Sequence, residues 1–338
     1  MGEGLGFGGE VAGFYHQYRR GYPPTVIGAL LDSLGLTSDD VVIDLGCGTG
    51  QLTLPIASQV RAVAGVDPEP DMLARARQAA AEQGVKNATW LLGADTDLPA
   101  LAALLGSRRA GAVTIGQALH WMDYRELIPA LVPLLRPGGG IAVITNGTPM
   151  WRQDSPWSRA LRGFLEQWLD GPATSTCGTD DASQQRYSDT MTEAGLSVTE
   201  TRYDYTDELD FDHLVGGVYS ALPAQRLPPP DQRTAFAAQI YRTVAPHAPF
   251  TEHVLVRMLL GRSLGSRRSP GLRRYQRPEH VHIEVASRRV GIAIDLPARA
   301  GQLVPVRLAP LAHRVMGVAD LGDGPGVGRG GDEPARQR

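Results

Sequence analysis

Three glycines, Gly46, Gly48 and Gly50, alternate with Cys47 and Thr49 directly after the apolar run Val41–Leu45. Without a Cβ, glycine turns the chain tightly and lets backbone lie against a ligand, so a strand breaking into this loop can seat a small molecule. The next apolar run, Val63–Val66, ends in Asp67, and a carboxylate at that place can accept hydrogen bonds from both hydroxyls of a ribose. Asp44 stands two residues before the first glycine. Together these residues describe a nucleoside-binding strand–helix–strand unit. A dinucleotide fold places its last glycine three residues after the second, where this chain has Gln51. That residue disfavours the alternative of a nicotinamide-dependent oxidoreductase. Further along, His120 carries an imidazole that is largely neutral at pH 7, given an ordinary pKa of about 6.5, and could take a proton from a reacting hydroxyl, acid or amine.

The elements that must hold these residues alternate. Helical spacing or apolar runs predict helices over 52–60, 70–83, 98–105, 124–135, 187–194, 210–220 and 231–245. Strands are predicted near 41–45, 63–66, 89–92, 112–116, 141–146, 198–205 and 253–260. A first helix opens at Pro23-Pro24 and ends at Gly35. This alternation predicts an α/β fold, a mostly parallel seven-stranded Rossmann-like sheet with helices on both faces and the ligand at the carboxyl ends of the strands. Trp151, Trp157, Phe164 and Trp168 recur where no nucleotide feature is visible and predict an inserted helical cap.

Several separated segments resemble the class I S-adenosylmethionine-dependent methyltransferases, in particular the small-molecule branch with the ubiquinone-biosynthesis and trans-aconitate enzymes. They are Phe14–Pro23, the glycine loop, Gly65–Leu73, Gly93–Pro99, Gln117–Asp123 and Leu134–Gly140. The resemblance runs over roughly residues 10 to 263. It implies S-adenosyl-L-methionine as cofactor, with S-adenosyl-L-homocysteine as product. It also implies Tyr18, Arg19, Asp44, Gly46, Cys47, Gly48, Gly50, Gln51, Asp67, Pro68, Met72, Asp95, Thr96 and Gln117 as its binding residues. His120 is the catalytic candidate, and Tyr15, His120, Trp121, Trp151 and Trp157 are expected to line the acceptor pocket. The implied reaction is methyl transfer to an oxygen, nitrogen or carbon of a small molecule, plausibly in specialised metabolism. A member of the fold that keeps the cofactor but catalyses a rearrangement or ring closure is the remaining alternative.

Composition narrows the partners. The chain has 338 residues, 42% hydrophobic content and a formal charge of −3, with no basic excess that would draw nucleic acid or a membrane surface. Two cysteines, Cys47 and Cys177, are too few for a disulfide scaffold or a cysteine-rich metal site. No metal is expected, and neither a P-loop nor a G-x-S-x-G elbow is present. With no signal-peptide pattern, a soluble cytoplasmic protein is expected, as monomer or homodimer. Residues 1–13 are expected to be flexible, and 14–263 to form the methyltransferase domain with cap elements at 148–186 and 207–245. Residues 264–338, rich in arginine, glycine and proline, form either a small β-rich appendage or a tail that folds poorly, as a shifted reading frame late in the gene would give.

Overall fold

The computed structural model describes residues 6–97, 109–264 and 279–282. These residues fall in one unit, 1–288; the second unit, 289–338, lies outside the described residues. The expected helix over 98–105 and nearly all of the 264–338 extension lie outside them too.

The sheet begins with the β-branched run that the sequence singled out. Strands β1 (Val41–Leu45), β2 (Ala62–Asp67), β3 (Ala88–Leu92), β4 (Ala110–Gly116) and β5 (Leu135–Asn146) run parallel. Strand β7 (Phe250–Ser263) pairs antiparallel with β5 and with β6 (Leu196–Leu209), and the short β8 (Glu279–His282) pairs parallel with β6. The order is β3-β2-β1-β4-β5-β7-β6-β8. The mostly parallel, Rossmann-like sheet is as expected, with one correction: β8 adds an eighth strand at the edge. Its Glu279–His282 pairs with Thr201–Asp204.

Two apolar layers sandwich the sheet, because its central strands carry Val, Ile and Leu on both faces. One layer joins Ile43, Val113 and Ile141 to Ile128 and Leu131 of α5 (Tyr124–Leu131) and to Tyr187 and Met191 of α7 (Asp181–Glu193). The other joins Val42, Ala112 and Ile144 to Val26 and Leu30 of α2 (Pro24–Leu34) and to Ile56 of α3 (Thr53–Ala57). Each fully buried Leu or Ile contributes roughly 1.5–3 kcal/mol. Helix α2 starts on Pro24 and stops where Gly35 turns left-handed at φ +57°. Helix α4 (Pro70–Glu82) follows Asp67 after two residues, Pro68 and Glu69.

A third apolar cluster belongs to the cap. Helix α6 (Pro156–Leu169), helix α8 (Phe211–Tyr219) and helix α9 (Arg233–Val244) meet around Trp157, Leu161, Leu214, Phe236 and Ile240. Ser155 and Asp210 cap α6 and α8 by accepting from the amides of Ser158 and His213.

The expectation of a flexible 1–13 is corrected for the described part. Helix α1 spans Glu10–Tyr18, with Val11 and Ala12 fully buried. Its start is tied down three times: Gly9 N–H donates to Asp71 Oδ2 at 2.5 Å, the Gly6 carbonyl accepts from Ala224, and Glu10 pairs with Arg233. Glycine content signals freedom only where nothing holds the backbone, and here three elements do.

Candidate functional site

The loop between β1 and α3 is shaped by its glycines. Gly46, Gly48 and Gly50 all have positive φ, at +67°, +53° and +88°. At Gly46 a Cβ would collide with the Ala118 side chain, so the loop and the segment after β4 can touch only because no side chain intervenes. The Gly46 and Cys47 amides both donate to the Val66 carbonyl, binding the loop to β2. The Gly48 amide donates to Asp67 Oδ2 at 2.8 Å, and the Glu69 amide donates to Asp67 Oδ1 at 2.9 Å. Burial raises the Asp67 carboxyl above the ordinary carboxylate range, while these two amides favour its charge. Each oxygen keeps a second lone pair for a ligand hydroxyl.

Asp44 is a correction. It is 1% exposed, and its two oxygens hold the Thr53 and Thr114 hydroxyls at 2.5 and 2.7 Å. Both of its oxygens are thus engaged in bracing the loop. Burial raises its pKa to about 6, partly offset by the threonine hydroxyls and reinforced by the charge of Asp67. Cys47 and Met72 are likewise buried, and Gln51 turns its Oε1 to the Thr49 hydroxyl at 2.9 Å. Pro68 is exposed just past Asp67. Asp95 and Thr96 form a 3-10 turn after β3, where Asp95 Oδ2 accepts from the Asp123 amide at 3.3 Å.

Beyond β4 the chain enters the strained stretch that carries His120. Gln117 has φ +54°, a left-handed conformation rare for a residue with a side chain and characteristic of functional turns. Its amide donates to the Ile144 carbonyl and its Nε2 to the Gly147 carbonyl at 3.4 Å. His120 lies in the next turn with its ring 5.0 Å from Trp121. Burial, and then the positive charge of Arg19, lower the His120 pKa to about 4. The imidazole is therefore a neutral, weak base at pH 7. A recess of about 10 Å³ opens among Gln117, His120, Thr145, Cys177, Gly178 and Tyr187.

The remaining sequence candidates separate into two groups. Tyr15 lies against Gly48, where a Cβ would stand 3.7 Å from its ring; Arg19 stacks over that ring at 5.2 Å. Phe7 bridges Tyr15 and Trp121 edge-on, with centroids 6.3 and 5.8 Å away, and completes an aromatic wall. Tyr18 is a correction: its ring packs on Gly216 and edge-on to His213, and its hydroxyl donates to Asp212, so it belongs to the contact of α1 with α8. Trp157 and Trp151 are corrections as well. Trp157 is 1% exposed, donates Nε1–H to the Thr251 carbonyl at 3.0 Å, packs edge-on to Phe250, and forms the centre of the cap cluster against which Trp151 lies. Large aromatics serve cores as readily as pockets, and spacing alone does not separate the two.

Sequence reasoning missed Phe7, Thr145, Gly178 and Tyr187, which reach this region from three distant parts of the chain. It also missed Arg20, which pairs with Glu252, whose other oxygen accepts from Gln153 at 2.7 Å. Phe7 alone carried a signal, as an isolated aromatic in a glycine run. Among the described residues no group of His, Cys, Asp and Glu could hold a metal ion, and no helix is long and apolar enough to cross a membrane.

Residues 42–139, from β1 into the first part of β5, match the family model of a methyltransferase domain. The resemblance to methyltransferases read from the sequence is borne out over these residues. An uncharacterized methyltransferase of Mycobacterium tuberculosis is 38% identical over 142 residues, which are 42% of this chain and 52% of that protein. The chain thus spans about half the length of this curated relative. A 23S rRNA (uracil(1939)-C(5))-methyltransferase of Stenotrophomonas maltophilia is 33% identical over 112 residues, 30% of this chain and 25% of that protein. Among solved structures, the geranyl diphosphate C-methyltransferase of Streptomyces coelicolor, crystallised with S-adenosyl-L-homocysteine, is similar at 17% identity and a TM-score of 0.39, covering 71% of this chain and 79% of that one.

Proposed function

We propose that the protein transfers a methyl group from S-adenosyl-L-methionine to a small-molecule acceptor in the cytoplasm, in specialised metabolism. The observation that carries this reading is the left-handed glycine loop clasped to Asp67 through the Gly48 amide. A nucleoside fits this arrangement: a Cβ on Gly48 would point at Tyr15, and Asp67 keeps acceptor capacity at the end of β2. Asp67 would hold the ribose hydroxyls, Asp95 and Thr96 would meet the adenine, and the backbone at Gly46–Gly50 would support the methionine portion. When bound, S-adenosyl-L-methionine supplies a methyl group on a positively charged sulfur, an electrophile that a well-placed nucleophile can attack without further activation.

The chain's own groups then position the acceptor, exclude water and receive a proton. Tyr15, Phe7 and Trp121 cover the site. His120, neutral above about pH 4, is placed to take the acceptor's proton. A small acceptor is favoured over RNA by the formal charge of −3. Mass spectrometry tests the reading. Purified protein, S-adenosyl-L-methionine and a panel of small acceptors should give S-adenosyl-L-homocysteine in a one-to-one ratio with a product 14 mass units heavier, as replacing one hydrogen by a methyl requires. Methylated RNA with no methylated small molecule would overturn the acceptor class, and cofactor left unconsumed beside a rearranged product would overturn the transfer itself.

A further inference from the structure

The recess beside His120 brings two of the six buried, unpartnered side-chain polar atoms among the described residues to one place. Gln117 Oε1 and Thr145 Oγ1 are buried without a hydrogen-bond partner, and both residues line it. Thr145 is only 4% exposed. Gln117 donates its Nε2 to the Gly147 carbonyl, which fixes the amide so that the oxygen is the atom left over. Tyr187, also 4% exposed, brings its hydroxyl to the same place, where a Cβ on Gly178 would stand 2.7 Å from it. A buried acceptor left unmade costs roughly 1–3 kcal/mol, so a molecule carrying such atoms at a functional turn is built to receive a donor. The recess also adjoins the cofactor loop, since Ala118, next to Gln117, abuts Gly46.

Resting on the methyltransferase reading, we infer that this recess receives the nucleophile of the acceptor as a neutral hydroxyl or amine that donates a hydrogen bond to Gln117 Oε1 and exchanges a second with the Thr145 hydroxyl, which donates to an acceptor oxygen or accepts from an amine. The acceptor class is thus an alcohol, phenol or amine. A carboxylate or phosphate has no hydrogen to give Gln117 and would be repelled by its oxygen, and no lysine or arginine lines the recess to offset this. A carbon nucleophile offers no donor. At about 10 Å³ the recess holds one oxygen- or nitrogen-sized group, with the remainder of the acceptor outside against the aromatic wall. In the reaction the heteroatom exchanges its proton for the methyl, the carbon–sulfur bond breaks onto sulfur to leave a neutral thioether, and the proton departs through the His120 ring. Thr145 and Tyr187 act as specificity-determining residues.

The test uses the full chain saturated with S-adenosyl-L-homocysteine and four ring probes of similar size: phenol, aniline, toluene and benzoate, their affinities read by ligand-observed NMR. Phenol and aniline should bind about tenfold more tightly than toluene and benzoate, the worth of one or two hydrogen bonds. Thr145→Val should bring phenol to within about twofold of toluene, and Tyr187→Phe, which leaves the Thr145 hydroxyl in place, covers the case in which the first variant does not fold. Equal binding of toluene and phenol, a preference for benzoate, or no binding of any probe would overturn the inference and leave the recess a site for solvent only. Failure of S-adenosyl-L-homocysteine to bind at the first step would overturn the methyltransferase reading itself, a result separable from the other three.

Discussion

The two ends of the candidate site are finished to different degrees. On the cofactor side the two buried carboxylates are fully held, Asp44 by two threonine hydroxyls and Asp67 by two backbone amides, and the unpaired atom nearby is a donor, Gln51 Nε2. On the acceptor side Gln117 and Thr145 face a recess with atoms unpaired. A loop that must present the same backbone to a constant ligand gains from being fully bonded before the ligand arrives. A pocket whose occupant supplies the missing hydrogen bonds gains discrimination instead, because a ligand lacking the donor leaves the buried acceptor unsatisfied. The contrast teaches that preorganisation and selectivity are written in opposite hydrogen-bond patterns across one sheet edge.

Four substitutions break or sharpen the contrast. Trp157→Ala removes the centre of the cap cluster and should destabilise the fold by about 3–5 kcal/mol in chemical denaturation. At temperatures where it stays folded, S-adenosyl-L-homocysteine affinity should hold within about twofold, because the cap core stands apart from the cofactor loop. Gly46→Ala forces a Cβ against Ala118 at φ +67° and should weaken S-adenosyl-L-homocysteine by about a hundredfold in calorimetry. Loss confined to acceptor binding would contradict the division between the two sides.

Asp44→Asn gives a pH signature. Burial raises the folded pKa of Asp44 to about 6, so between about pH 4 and pH 6 the native state holds a proton that the unfolded chain has released. The contribution of this group therefore weakens as pH rises through that window and is lowest above it. The stability difference between wild type and Asp44→Asn should shift in favour of wild type by up to about 3 kcal/mol on going from pH 7 to pH 4. A flat difference would show that Asp44 is not the buried brace described. The smallest effect is expected at His120→Ala. A base with a pKa near 4 has little pull at pH 7, so kcat/KM should fall by only about tenfold with cofactor affinity intact, and the acid limb near pH 4 should vanish from the rate profile.

The same contrast explains what the sequence revealed. The cofactor side is contiguous: Val41–Gly50 and Gly65–Asp67 are short runs whose glycines and acids state their own geometry, and the sheet follows from alternating apolar periods. The proposed acceptor side is assembled from Gln117, Thr145 and Tyr187, residues of ordinary type whose meaning arises only when three separate segments meet. Trp157 shows the limit from the other direction. Its size and spacing fit a pocket wall equally well, and only the Thr251 and Phe250 contacts assign it to a core. Tyr18 fails for a related reason, since α1 presents one face to the loop through Tyr15 and another to α8 through Tyr18.

The most direct trial of the central claim is calorimetric titration of the intact chain with S-adenosyl-L-homocysteine, repeated on Asp67→Asn. One molecule should bind per chain, and the substitution should weaken it by about 10- to 100-fold, the span expected for hydrogen bonds to a charged group. Absence of binding, an unchanged affinity in Asp67→Asn, or preferential uptake of a nicotinamide dinucleotide would contradict the account.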